Sequence, residues 1–540
     1  MASDFILLLS PPSWTLNVGG PHIALPLLKG FLESHNIPVV IRDLNIACSR
    51  FYEVTLDQSD AVRACQNPTL SSMNAPYFHA QDRLSSVAAL YRGSWDIQSG
   101  FCYDDLDPAS SESIKSFSLQ PSPHTEFFKA EVIPFVVDES PTIVGLSVIV
   151  PGQLLPTFEL CRLLRAAGYN GKIVIGGNVI TRLGSGLFLD WVFDLIDGIV
   201  SLQGEEALVG LFNAIKNGIS FDDIPNLVWK HNGQIVSNKI KILESAQFKG
   251  PDFSGLNVNH YWGVPYLPMI GSRGCYYGRC NFCAIPYGWG NGGFIGHGTP
   301  RDVFEDMKSA SDLFGLNRFK FVEEALHPSV LNGLIDLIND EDFDCHFEGY
   351  ARLDSFWCNT SFLRKASGAG LRKLYLGLEL SPSQTRSTLN KSDTAPALEI
   401  LTKLHDTGIR AHVFCLFGYP GTGTEEAYST IEFVLKHRDL IDSLDVFPFY
   451  YAKHTTVDLI RPILNAEKDW ALEYEYVPQS DGVLSQVEVK ELSTQLEDLL
   501  WKENPTWLHP VYRMYSPWQE SLSSSLYRLK GPFTSREVYA

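Results

Sequence analysis

Gly271-Ser272-Arg273-Gly274-Cys275-Tyr276-Tyr277-Gly278-Arg279-Cys280-Asn281-Phe282-Cys283 places three thiols within nine residues, whereas the other seven of the ten cysteines are scattered from Cys48 to Cys415. Thiols this close share a soft metal or form a bridge, and three is an odd number for bridges. A structural zinc site closes with four protein ligands, and the nearby candidate for a fourth is His297. All-sulfur ligation with one position left open suits an iron–sulfur cluster instead. There, three cysteines hold three irons of a four-iron cluster and leave the last iron for a ligand.

Outward from this stretch the chain alternates strand and helix. The apolar run 264–270 reads as a strand that delivers the cysteine loop. Thr299-Pro300 opens a helix as N-cap and first-turn proline. Further strands are predicted at 318–323, 345–349, 372–379, 410–416 and 443–449, making six in all, with helices between. Polar residues stand at the ends of these strands, where the active sites of parallel α/β folds gather: Glu323 and Glu324, Arg352, and Glu379. Singly, each reads most simply as a solvated or helix-capping group.

Upstream, residues 4–46 read as strand, helix, strand. Phe5 to Leu9 is a continuous apolar run, as in a parallel strand buried on both faces, followed by a helix over 22–35 and a strand from Pro38 to Ile46. The alternation resumes with a strand at 142–150, a helix at 154–167 and a strand at 172–175. Next come a helix near 184–192, a strand at 196–201 and a helix at 205–217. This order specifies a doubly wound, Rossmann-like α/β sheet, whose ligands bind beyond the carboxyl ends of its strands. Ser147, Gly176, Gly177, Gln203, Gly204 and Glu205 fall at those ends. Asn232-Gly233 centres a hairpin over 225–236.

The domains expected are therefore 1–237, a linker at 238–262, a second domain at 263–455 and a mainly helical cap at 456–540. The first is interrupted by an insertion at 47–140, in which 79–92 reads as an amphipathic helix and Asp104 to Ser122 as loop or partly disordered chain. The cap has one clear helix, near 486–503, and many aromatics, from Trp470 to Trp518.

Bulk properties bound the function. Hydrophobic residues make up 45% of the chain and the formal charge is -19. That balance argues against broad nucleic-acid or anionic-membrane binding. No apolar run is long enough to span a bilayer, and the N-terminus reads as a buried strand rather than a signal peptide. A cytoplasmic protein is expected, in reducing conditions that suit a cluster.

Ser272-Arg273-Gly274-Cys275, a short loop rich in aromatic and Gly residues, and then Cys280-x-Phe282-Cys283 resemble the cluster loop of radical S-adenosylmethionine (SAM) enzymes. With four residues between its first two cysteines, the loop is one longer than the family's usual spacing. The pattern 143–147, 175–178 and 197–206 is similar to the cobalamin (B12)-binding domain of class B members of that family. An Asp-x-His-x-x-Gly motif is absent; His22 lies in the first crossover without it, so no histidine ligand from that motif is implied.

The resemblance implies an N-terminal cobalamin-binding domain followed by a partial (β/α)6 barrel, together holding a [4Fe-4S] cluster, SAM and cobalamin. Cys275, Cys280 and Cys283 would hold the cluster. Phe282 would lie against adenine, and Glu323 and Glu324 near the methionine amine. Arg352, following the third strand, would be another SAM contact. Glu379 would touch SAM, with Arg386 or Lys391 pairing its carboxylate, and the Gly418 turn (Gly418-Tyr419-Pro420-Gly421) would meet adenine and ribose. Ser147, Gly176, Gly177, Gln203, Gly204 and Glu205 would contact cobalamin.

The implied reaction is C-methylation of an unactivated carbon in a natural product or peptide, through a 5'-deoxyadenosyl radical and methylcobalamin. A flavodoxin or ferredoxin would supply the electron. The alternatives are cyclisation or ring rearrangement without net methylation, and a non-enzymatic cobalamin or metal sensor. A tRNA-modifying enzyme is disfavoured by the acidic balance. No side chain is assigned as a general base, because hydrogen abstraction does not require one.

Overall fold

The computed structural model describes residues 4–13, 20–55, 89–90, 93–96, 100–261, 265–290, 293–380, 389 and 397–504. The helix expected at 79–92 lies almost wholly outside them, as do Arg386, Lys391 and the tail aromatics beyond residue 504. The chain forms two compact units. One takes in the residues up to Pro265 together with Asn465–Leu472, and the other Tyr266–Leu464 and the chain from Glu473 onward.

The first unit is built on seven strands: β1 (Ile6–Ser10), β2 (Val39–Asp43), β3 (Ile143–Ser147), β4 (Lys172–Gly176), β5 (Gly198–Val200), β6 (Leu227–His231) and β7 (Gln234–Ser237). Their order is β2-β1-β3-β4-β5-β6-β7; the first five are parallel and the hairpin β6–β7 is antiparallel. Every residue of β1 is buried, as its unbroken apolar run requires. Helices α1 (Ala24–Glu33) and α2 (Glu205–Asn217) pack Leu25, Leu32, Leu208, Leu211 and Phe212 against Ile6, Leu8 and Val39. Each such fully buried side chain contributes roughly 1.5–3 kcal/mol. Asn232 and Gly233 both take positive φ, 49° and 81°, as a two-residue hairpin turn demands. The strand order reverses direction between β1 and β3. Gln153 bridges that point, donating to the Pro11 carbonyl (2.7 Å) and accepting from the amide of Ile149 (2.8 Å).

Three local expectations are corrected here. The chain after β2 turns into a helix, Leu44–Thr55, started by Asp43, whose carboxylate accepts from the Asn45 amide (3.0 Å). The helix after β4 begins at Asn178, directly behind Gly177, rather than near 184. The Ser- and Asp-rich stretch 104–122 is ordered: Ser110 caps a helix over Ser111–Ser118, and Ser122 caps the next. Ser110 and Ser122 are caps, and Ile114 and Phe117 supply the apolar face that the composition concealed.

The second unit holds six strands in sequential order, all parallel: β8 (Leu267–Met269), β9 (Arg318–Phe321), β10 (His346–Ala351), β11 (Leu371–Glu379), β12 (Arg410–Phe417) and β13 (Ser443–Pro448). Helix α3 (Pro300–Phe314) starts where expected. The Thr299 side chain accepts from the Asp302 amide and donates to the Asp302 carboxylate (2.6 Å). Side chains alternate along the strands. Phe319, Phe321, Phe347, Leu374, Leu376, Val413 and Leu444 are buried on one face. The other carries Lys320, Glu348, Tyr350, Lys373, Tyr375, His412, Phe414 and Asp445, with Lys320 paired to Glu348, Glu348 to Lys373, Tyr350 to Tyr375, Tyr375 to His412 and Phe414 to Asp445.

The tail is less helical than expected. Tyr451–Ala452, Glu473–Pro478 and Ile460–Ile463 form a three-stranded antiparallel sheet, and α4 (Gln486–Glu503) follows. The alternation Tyr474, Tyr476, Pro478 is a strand period that the aromatic count obscured. Trp470 joins the first unit, with its ring 5.5 Å from Phe158 and 5.7 Å from Trp191. Among the described residues no helix is long and apolar enough to cross a membrane.

Candidate functional site

Just after β8, Ser272–Gly274 pairs antiparallel with Phe294–His297, and this ribbon pinches the cysteine loop at its neck. The amide of Cys275 donates to the Gly293 carbonyl at 3.0 Å. Gly274 has φ +85°, and a Cβ there would lie 1.9 Å from the Gly293 oxygen, so only glycine permits the closure. Cys275, Cys280 and Cys283 form no disulfide, and each is partly exposed. Burial, with Cys280, Cys275 and Glu324 adding like charge, pushes the Cys283 thiol up to about 12. Such a thiol gives up its proton only to a strong electrophile such as a metal.

The sequence motif did not show what holds this loop. Tyr276 donates to Asp354 at 2.6 Å, and burial followed by that bond raises its hydroxyl pKa. Arg352, expected to meet SAM, stacks its guanidinium 3.8 Å from the Tyr277 ring centre and 5.7 Å from that of Tyr276. Trp289 Nε1 donates to Glu324 Oε1 at 2.6 Å, and Glu324 also accepts from the amide of Gly274. One carboxylate therefore ties both arms of the loop. A carboxylate or arginine one strand over, following the loop's aromatics, is the signal that points to these partners.

Glu323 is 2% exposed, and its Oε1 accepts from the Gly271 amide at 3.2 Å. Burial pushes its carboxyl up to about 8, with Glu324 adding to the rise. Glu323 Oε2, Glu324 Oε2 and Ser272 Oγ are buried without a hydrogen-bond partner among the described residues. Orphaned buried acceptors next to three thiols suit a ligand that brings donors, such as an ammonium group.

The remaining expected SAM contacts divide. Phe282 packs edge-on against Tyr419, with ring centres 6.3 Å apart, so the loop does meet the Gly418 turn. Gly418 itself has φ +75°, and its missing Cβ makes room for Val489 of α4, 2.4 Å away; its glycine is explained by packing. Glu379 adopts φ +62° where the β11–β12 register slips between Gly377 and Glu379. A non-glycine residue held there stores strain, as side chains at functional strand ends often do.

In the first unit, Ser147, Gly176 and Gly177 stand together at the ends of β3 and β4. Gly177 has φ +107°, and a Cβ would meet the Val148 oxygen at 2.4 Å, so it too is required by packing. Gln203 turns inward: its Oε1 accepts from the Leu243 amide at 2.5 Å. Glu205 is buried at the start of α2, and Gly204 lies against Leu28. His22 Nδ1 accepts from the Ala24 amide at 3.2 Å.

Among the described residues no three His, Cys, Asp or Glu side chains are grouped closely enough to hold a single metal ion. His297 lies against His327 (4.5 Å), with its Nδ1 2.8 Å from the Gly298 carbonyl oxygen. A cluster gives each thiolate its own iron and does not ask them to meet at one point.

Comparison with solved structures decides the fold. OxsB, a cobalamin-dependent SAM radical enzyme solved with aqua-cobalamin and SAM, superposes with a TM-score of 0.60 at 15% identity, covering 93% of this chain and 66% of its own. The radical SAM methyltransferase TsrM from Kitasatospora setae, solved with cobalamin and a [4Fe-4S] cluster, gives 0.59 at 14% identity, covering 92% and 91%. The fold is that of the cobalamin-dependent radical SAM enzymes. Among curated proteins, 4'-phospho-dehydrooxetanocin synthase of Priestia megaterium is 22% identical over 364 residues, which is 59% of this chain and 46% of the synthase. The chain thus spans less than half of that relative's length. No family model matches the sequence. Like these cobalamin-dependent radical SAM enzymes, the chain is an α/β protein with parallel sheets.

Proposed function

We propose that this protein is a cobalamin-dependent radical SAM enzyme acting on a small molecule. The observation that carries the reading is the pinched loop of three cysteines, none in a disulfide, together with the orphaned carboxylate oxygens of Glu323 and Glu324. When bound, the cluster and the corrin supply the electron transfer and group transfer that amino-acid side chains cannot.

The chain's own residues bind and position. Cys275, Cys280 and Cys283 hold the cluster. Glu324 and Arg352 keep their loop closed, Glu323 accepts from the amine of SAM, and the Phe282–Tyr419 pair flanks its adenine. Ser147 and the backbone at Gly176–Gly177 border the corrin at the ends of β3 and β4. The second unit is read as a partial barrel open at its strand ends.

Methyl transfer to an unactivated carbon is the first reading, supported by the match along nearly all of a methyltransferase's length. Ring rearrangement without net methylation is the second, favoured by the curated relative, a synthase. Anaerobically reconstituted protein, reduced with dithionite in the presence of SAM, tests the proposal. Release of 5'-deoxyadenosine and methionine supports a radical enzyme, and no cleavage of SAM refutes it. Product mass then separates the readings, since methylation adds one carbon and rearrangement adds none.

A further inference from the structure

The short helix Asn178–Leu183, directly behind Gly177, is tied to three strand ends of the first sheet. The Val148 amide donates to the Gly176 carbonyl at 2.8 Å, and the Val179 amide donates to the Val148 carbonyl at 3.2 Å. The chain beyond β3 and the start of this helix therefore hold each other. Thr181 is buried, and its Oγ1 accepts from the amide of Leu202, just beyond β5, at 2.8 Å. Leu202 has φ +58°, a strained conformation for leucine that its surroundings must hold in place. One helix thus fixes the ends of β3, β4 and β5 together. This is the edge of the sheet that borders the corrin in the reading above.

What holds the helix comes from far along the chain. Asn465–Leu472 belongs to the first unit, while the chain on both sides of it belongs to the second. This strap meets the helix and the turn after it at two points. Trp470 Nε1 donates to the Gly186 carbonyl at 2.8 Å, and the Arg182 guanidinium donates to the Leu472 carbonyl at 3.1 Å. The strap is itself anchored: the Trp470 amide donates to the Ala109 carbonyl, and Asp469 Oδ1 accepts from the Ser111 amide, both at 2.8 Å. Trp470 is 1% exposed, packed against Phe158 and Trp191. Packing alone would accept a phenylalanine at this position. The indole adds a donor, and that donor is spent on the turn that ends the helix.

We propose that Trp470 is a positioning residue for cobalamin: through Gly186 and the helix Asn178–Leu183 it holds the strand ends that border the corrin. It acts through this helix and not by contact with the cofactor. The proposal deepens the cobalamin reading and rests on it.

The test is equilibrium dialysis of the anaerobically reconstituted full chain against hydroxocobalamin, with iron measured on the same samples. Hydrogen exchange of the corrinoid-free chain is followed beside it. Trp470→Phe keeps a ring and loses the donor. It is expected to weaken corrinoid binding by about threefold to tenfold, the worth of one neutral hydrogen bond, with iron unchanged. Trp470→Ala is expected to weaken it further and to speed exchange at the amides of Val179 and Leu202. Leu32→Ala opens a cavity among the buried residues around α1, outside the strap and its contacts. It is expected to lower the melting temperature and to leave corrinoid affinity as in the parent. Unchanged corrinoid binding by a folded Trp470→Phe overturns the proposal, whether or not Trp470→Ala folds. An equal loss of affinity in Leu32→Ala overturns it too, because the effect would then be general stability. A parent that binds no corrinoid is a different failure: it ends the cobalamin reading itself, and the proposal with it.

Discussion

Arg352 places its guanidinium carbon 3.8 Å from the centre of the Tyr277 ring, two residues after the first cysteine of the cluster loop. It therefore clamps the loop that presents the metal ligands. Removing a desolvated cation–π contact costs about 2 kcal/mol. Arg352→Ala is expected to purify with markedly less iron and unchanged cobalamin, and Arg352→Lys to recover part of the iron. Iron and corrinoid assays on the same samples check this. A variant that keeps full iron but loses affinity for SAM would return Arg352 to its expected role as a SAM contact.

Glu324 joins both arms of the same loop through Trp289 and Gly274. Trp289→Phe removes one donor from a buried carboxylate, at a cost of about 1–3 kcal/mol. The cluster's visible absorption is expected to bleach faster in air or chelator than in the parent. Identical bleaching rates would show that the latch does not hold the loop.

Gly418→Ala tests the packing role assigned to that glycine. The substitution meets Val489 of α4 at 2.4 Å on a backbone with φ +75°, so both contact and conformation are strained. A loss on the order of 2–4 kcal/mol is expected, read as a lowered melting temperature. Combining it with Val489→Ala, which clears the contact, should restore part of the loss and leave the backbone strain.

Lys373 provides a pH test. Burial drives its ammonium from 10.5 down to about 7 in the folded chain. Between these values the unfolded chain binds the extra proton, so Lys373's contribution to stability rises as pH rises from about 7 towards 10.5. Replacing it with Met should flatten that part of the stability–pH curve, by an amount on the order of 4 kcal/mol across the window. Urea melts at pH 7 and pH 9 measure the difference.

Much of this architecture is legible in the sequence because local chemistry and global fold agree. Thr299-Pro300 starts α3, Asn232-Gly233 turns the hairpin, and helices Glu205–Asn217 and Gln486–Glu503 begin and end where their apolar periodicity places them. The stretch 104–122 is deceptive because its serines have the composition of disordered chain, whereas Ser110 and Ser122 cap helices.

The site is legible at its cysteines and opaque around them. Attention to polar residues only at strand ends passes over Lys320, Glu348, Lys373, His412 and Asp445, which stand in the same alternating phase on neighbouring strands. A charged residue at that phase in strand after strand is a signal carried by the sequence itself. Gly177, Gly418 and Gln203 are ambiguous in the sequence for another reason. Their residue types suggest ligand contact, but packing alone also accounts for them: a Cβ at Gly177 or Gly418 would meet Val148 or Val489, and Gln203 accepts from the Leu243 amide.

The most direct measurement is iron, sulfide and corrinoid content after anaerobic reconstitution, made beside a Cys275/Cys280/Cys283→Ala variant. The account predicts about four irons and one corrinoid per parent chain, with the variant losing the iron and keeping the corrinoid. Zinc in place of iron, or iron retained by the variant, would contradict the assignment of this loop. A parent that takes up iron but no corrinoid would leave the first unit without its proposed cofactor and end the cobalamin reading.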